Sequence, residues 1–252
     1  MTTTSPTANG RIGAVTPMRH RDWMAASDEE YRRIGELLAG LDGEDWQRGT
    51  DCPEWDVREL VAHLVGNAEM SASMREMRRQ QKLGRRLRPG GTDIDGMTAV
   101  QVHERADVPP EQLVHDLADV ATRAVRARGR IPAPMRAIPI PFGPPLGTKP
   151  LGYLMGRIYT RDAWLHRVDL ARATDRPLEL TPEHDGPIVA DVVAEWGTAH
   201  GQPYRLTLTG PAGGTWSRGQ DGETITRDAV EFCRVLSGRS AGSGLLAHAV
   251  PF

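Results

Sequence analysis

Seven of the chain's nineteen prolines fall within residues 131–150, IPAPMRAIPIPFGPPLGTKP. Proline lacks the N–H that an interior helical turn requires, and it pushes the preceding residue toward extended backbone. This segment therefore cannot be a regular helix and must be extended or looped. It separates whatever helices precede it from whatever follows. Connections this long are usually functional, and this one is expected to cover a site built by its neighbours.

Before the proline segment the apolar residues recur at helical spacing. Trp23, Met24, Tyr31, Ile34, Leu37 and Leu38 predict a helix from about Met18 to Leu41, ended by Gly40 and Gly43. Asp56, with Glu59 three residues on, forms a capping box that opens a second helix from Val57 to about Gln80. The basic, glycine-rich KLGRRLRPGGTDIDG then predicts a loop. A third helix is expected over Met97–Ala106 and a fourth over Glu111–Arg128, whose stripe is Leu113, Leu117, Val120 and Val125. After the prolines, a helix should run from Leu151 to Thr174.

Past Pro177–Pro182 the pattern changes. A helix over about Glu183–His200 is followed by YRLTLTG, GTWSRG and ETIT, which alternate like short strands, and RDAVEFCRVLSGR predicts a last amphipathic helix. The fold class expected is α+β, with a helical domain over 18–176 and a small α/β domain over 182–252. The polar residues 1–17 read as a flexible tail.

Composition narrows the partners. Thirty-one basic and thirty-three acidic side chains give a formal charge of -2, so no whole-protein field would gather nucleic acid. The mean hydropathy is -0.44, and no stretch approaches the roughly 20 apolar residues of a membrane span. The two cysteines, Cys52 and Cys233, are too few for a disulfide scaffold, and with no secretory signal in view the expected location is cytoplasmic. Oligomeric state is left open, since no heptads appear.

Chemistry concentrates on three residues. Asp162 and His166 are four apart on one predicted helix, which places them on one face. With His63 from a neighbouring helix they would offer two imidazoles and a carboxylate, the donor set of catalytic zinc with its fourth position open. The same residues are compatible with a surface ion pair and a hydrogen-bonded core histidine. Asp169 could either orient the ring of His166 or pair with Arg161 or Arg172. Cys52, just before a helix start, is either reactive or merely packed. His103, His115, His184, His200 and His248 have no ligand spacing.

The run CPEWDVRELVAHLVGNAE resembles the Cys-Pro-Gly-Trp-plus-helix signature, ending in His-Leu, of the maleylpyruvate isomerase-like proteins of the DinB superfamily. The run TRDAWLHRVDLARATDRPLEL resembles that family's second signature, and TRDAVEFCRVLSGR with GLLAHAVPF resembles its C-terminal domain. The resemblance covers nearly all of the chain after the tail. It implies a four-helix DinB bundle holding a divalent metal, usually zinc, at the positions of His63, Asp162 and His166. It also implies mycothiol as cosubstrate, a low-molecular-weight thiol acting on a small-molecule electrophile. Addition of the thiolate to a cis double bond and its elimination would give the trans isomer, while relatives perform S-transfer. Arg239 in LSGR resembles a C-terminal-domain arginine suited to a substrate carboxylate. Two departures stand out. Asp162 replaces a glutamate longer by one methylene, so the helices must approach more closely or a water must bridge. Glu54 replaces the glycine before Trp55. The alternatives are a metal-free binding protein on the same fold, and a purely structural metal.

Overall fold

The computed structural model describes residues 17–141 and 147–252. The tail expected over 1–17 lies outside them apart from Pro17, as do residues 142–146 of the proline-rich connection. The chain divides into two compact units, Arg19–Leu178 and Glu179–Pro251.

Four helices make the bundle of the first unit: α1 (His20–Ala39), α2 (Val57–Ala72), then, beyond α3 (Met74–Leu87) and α4 (Asp93–His103), α5 (Pro110–Gly129) and, following the connection, α7 (Tyr159–Ala173). Helix α1 packs on α5 and α7, and α2 packs on the same two, closing a four-membered ring. Ile34, Leu60, Leu64, Leu113 and Leu170, all fully buried, fill its centre. Truncating any one to alanine costs about 2–5 kcal/mol. Charges are buried in this unit too, where Arg167 donates to Glu30.

The Asp56–Glu59 capping box opens α2 as the sequence indicates, but the long second helix is corrected. It ends at Ala72, because Ser73 adopts an extended backbone (φ -147°, ψ 117°) and caps a new helix by accepting from the N–H of Glu76. The glycine-rich loop is corrected as well. Lys82–Leu87 complete α3, and Thr92 with Asp95 forms a capping box that starts α4 earlier than expected. Gly84 and Gly96 mark the crossing of α3 and α4. A Cβ on Gly84 would lie 2.4 Å from the carbonyl carbon of Gly96, so the backbones touch only because both side chains are absent. Glycine here serves close packing in place of the loop that the sequence predicts.

In the proline-rich connection, one helical turn, α6 (Ala133–Arg136), does form. Its prolines occupy the cap and first turn, where the missing N–H has no partner to lose. The rest is extended: β1 (Pro139–Pro141) pairs antiparallel with β2 (Thr148–Pro150). The helix that follows begins with a π-helical stretch, Tyr153–Ile158, which runs directly into α7.

In the second unit, α8 (Asp185–His200) and α9 (Ala229–Leu236) accompany a sheet of β3 (Tyr204–Thr209), β4 (Gly214–Arg218) and β5 (Glu223–Asp228). The order is β4-β3-β5, with β3 antiparallel to β4 and parallel to β5. Tyr204, Leu206 and Leu208 alternate inward from β3 and join the fully buried Trp196, Phe232 and Leu236.

Candidate metal centre

The first unit brings His63 of α2 together with Asp162 and His166 of α7. One donor atom from each lies within 4.8 Å of the others. The Nε2 atom of His166 is 3.3 Å from Asp162 Oδ1, and Nε2 of His63 is 3.7 Å from Asp162 Oδ2. Four-coordinate zinc with bonds of about 2.0–2.2 Å separates its donors by roughly 3.4 Å. The shorter aspartate thus reaches both imidazoles without an intervening water. Asn67, one turn beyond His63, donates to Asp162 Oδ2 at 2.7 Å and holds the carboxylate in place. Both histidine side chains are 6% exposed and that of Asp162 is 20% exposed, so the carboxylate marks the mouth.

Hydrogen bonds behind the rings decide which nitrogen is free. Gln80 Nε2 donates to the backbone carbonyl of Gly66 at 3.0 Å. A carbonyl can only accept, so Gln80 Oε1 is the atom that meets Gln101 Nε2, at 2.8 Å. Gln101 Oε1 is then left facing His63 Nδ1, at 2.7 Å. A proton must sit on Nδ1, and Nε2 is the nitrogen turned toward Asp162. That atom is buried and makes no hydrogen bond among the described residues, its neighbour being the Asp162 carboxylate 3.7 Å away. Trp55 stacks on the same ring, centroids 4.8 Å apart, and is presented by the proline turn. Thr50 ties that turn by donating to the carbonyl of Trp55 and accepting from the N–H of Cys52.

His166 is supported differently. Its Nδ1 meets Oδ2 of the fully buried Asp169 at 3.0 Å. Asp169 thus orients the imidazole, and Arg172 pairs with Asp51. Cys52 donates to the same Asp169 oxygen at 3.7 Å, and so groups with His166 and Asp169 and not with the three donors. Burial pushes the His166 imidazole down, yet Asp162 and Asp169 outweigh it and hold the group well above its ordinary value. Burial likewise pushes the Asp162 carboxyl up, and the two imidazoles, His166 first, pull it far below the usual carboxylate range.

A family model described as the mycothiol maleylpyruvate isomerase N-terminal domain matches residues 27–171, more than half of the chain and all three donors. The chain belongs to that family. Two solved structures extend the likeness beyond the family's domain. A mycothiol-dependent maleylpyruvate isomerase superposes with a TM-score of 0.59 at 14% identity, over 90% of this chain and 92% of that one. A histidine-to-alanine mutant of such an enzyme gives 0.58 at 15%, over 89% and 91%. What they share with this chain is the α+β fold of a DinB-like bundle and a C-terminal domain. Uncharacterized proteins from two strains of Mycobacterium tuberculosis are 24% identical over 245 residues, covering 91% of this chain and 88% of theirs.

Among the family's expected positions, Arg239 belongs to the second unit. It follows Gly238, whose φ of 83° is left-handed, and its N–H bonds the carbonyl of Arg234. Glu54, in place of the family's glycine, is exposed and pairs with Arg88. Sequence reasoning gave no role to Asn67, Gln80, Gln101 or Trp55. Asn67 was accessible as the residue one turn after His63. The two glutamines carry no local signal, because their place depends on the break at Ser73 and on how α3 and α4 fold back.

Proposed function

We propose that His63, Asp162 and His166 hold a divalent metal, zinc by their two nitrogens and one oxygen, and that the chain is a mycothiol-dependent enzyme. Its reaction is isomerisation or S-transfer on a small electrophile. One observation carries the reading: His63 Nε2, buried and short of any hydrogen bond among the described residues, is turned by the Gln80–Gln101 relay toward Asp162 and His166. When bound, the metal supplies Lewis acidity that lowers the pKa of a thiol.

The chain's own residues do the rest. Gln101 and Asp169 fix both rings with Nε2 inward, and Asn67 keeps the Asp162 carboxylate from turning away. Trp55 covers one imidazole face and limits water there. Among the described residues no fourth His, Cys, Asp or Glu joins the three, which supports an exchangeable position over a structural metal. The departure at Asp162 is met by the donor spacing, which supports metal binding over the metal-free alternative. Arg239 is proposed to meet a substrate carboxylate, and a cytoplasmic location fits use of an intracellular thiol. No helix of the described residues is long and apolar enough to cross a membrane.

Metal content by elemental mass spectrometry, on protein purified without chelator, tests the reading. Wild type should carry close to one zinc per chain and His166→Ala close to none. Wild type that stays metal-free after zinc is added back would overturn it.

A further inference from the structure

Helix α3 carries six cations, Arg75, Arg78, Arg79, Lys82, Arg85 and Arg86, against the single carboxylate of Glu76. Its buried residues, Gln80 and Gly84, mark the side that packs on α2 and α4. Arg78, Lys82 and Arg86 repeat every fourth residue, two positions out of phase with them, and so run along the opposite side, about 200° round the axis. Arg75 stands at the head of that row. All four are exposed, and none of them has a hydrogen bond or ion pair among the described residues. The carboxylates at the flanks are already taken: Glu76 and Glu104 by Arg79, Asp93 by Arg85, and Glu54 by Arg88.

A face kept for solubility alone is served by mixed signs. Helix α1 is built so: Arg32 sits between Glu29 and Glu36, and Arg33 also pairs with Glu29. On α3, by contrast, Arg78, Lys82 and Arg86 are like charges at i,i+4, a spacing that weakens a helix. In a chain whose formal charge is -2, the row is a local feature. From Arg75 to Arg86 it extends about 16 Å at roughly 1.5 Å per residue, too long for one small anion and suited to an extended anionic surface. Its ends choose the kind of surface. Met74 borders the row four residues before Arg78, and Leu87 and Ile94 flank the turn into α4, the three being 50%, 46% and 53% exposed. A lipid surface takes such side chains into its headgroup and acyl boundary, whereas a phosphate backbone offers them nothing to bury against.

We infer that the outward face of α3 docks this protein on an anionic lipid surface, its cations meeting headgroup phosphates and the apolar residues at its ends entering the boundary. The inference needs neither the metal nor the thiol.

Sedimentation of the full chain with vesicles tests it, using phosphatidylcholine alone and phosphatidylcholine mixed equally with phosphatidylglycerol. Wild type should pellet only with the mixed vesicles and leave them as salt is raised. Arg78→Gln with Lys82→Gln should weaken binding about 25-fold, at about fivefold for each cation near such a surface. Arg123→Gln with Arg205→Gln removes the same charge at two exposed positions elsewhere and should change binding less than about twofold. Leu87→Ser with Ile94→Ser should weaken it about tenfold at most and leave its salt dependence intact. All these side chains are exposed, so unchanged melting temperatures should accompany every variant. Absence of binding to the mixed vesicles overturns the inference, as do equal losses in the two charge variants, which would reduce the row to net charge. Tighter binding to a double-stranded oligonucleotide at equal phosphate concentration, or no loss in the serine variant, overturns the choice of lipid.

Discussion

His63 and His166 present the same atom to Asp162 from opposite kinds of support. Behind His63 stands a chain of neutral amides that ends on the carbonyl of Gly66. Behind His166 stands the buried carboxylate of Asp169, which also takes the thiol of Cys52. An amide relay sets the tautomer with little effect on charge. A carboxylate sets the tautomer and also favours the imidazolium, so His166 holds a proton that a metal must displace. The centre therefore has an amide-backed arm and a carboxylate-backed arm, and metal uptake should be sensitive to pH through the proton that the second holds.

The largest effect expected from breaking this asymmetry is in Asp169→Asn. Zinc affinity should fall about 10–100-fold, the usual cost of losing an outer-shell partner, as read by competition with a fluorescent chelator. An affinity within twofold of wild type would remove the carboxylate's role. Gln101→Met should cost less, about tenfold at most, because it removes an uncharged acceptor, while Gln101→Glu should restore affinity by making the two arms alike. If Gln101→Met cost more than Asp169→Asn, the comparison would be the wrong way round.

A smaller effect concerns pH in chelator-treated protein. The folded-state pKa of His166 is raised, so its contribution to stability is complete below the unfolded value of about 6.5 and is lost as pH rises through the folded value. Asp162 is shifted the other way and contributes above about 3.8, losing its share only in strong acid. Melting temperatures should thus fall from neutral toward alkaline pH in wild type and stay flatter in His166→Gln. Equal slopes in the two proteins would contradict the assignment of the proton to His166.

The helices of the bundle were legible because their apolar stripes and caps are local. The three donors were legible because two of them share a helical face and the third sits in a family signature. Prolines showed where the helical run must stop, although Pro132 and Pro134 permit the single turn of α6. What stayed hidden depends on neighbours distant in sequence. Gly84 looks like a turn residue until Gly96 is placed against it, and Gln101 looks like any polar surface residue until α4 lies on α2. Arg128 ends the fourth predicted helix, and only the packing of α1 and the π-helical stretch around it shows it to be enclosed.

The break at Ser73 has a reach that its size conceals. In an unbroken helix, fourteen residues at about 1.5 Å each would carry Gln80 some 21 Å along the axis from Gly66. In the folded chain Gln80 Nε2 and the Gly66 carbonyl are 3.0 Å apart. The interruption doubles the chain back alongside itself, so that a single non-helical residue governs the protonation pattern of a ring ten positions upstream. A change at Ser73 that let the helix run straight would rotate no ligand and remove no donor, yet it would leave His63 without instruction about which nitrogen to offer.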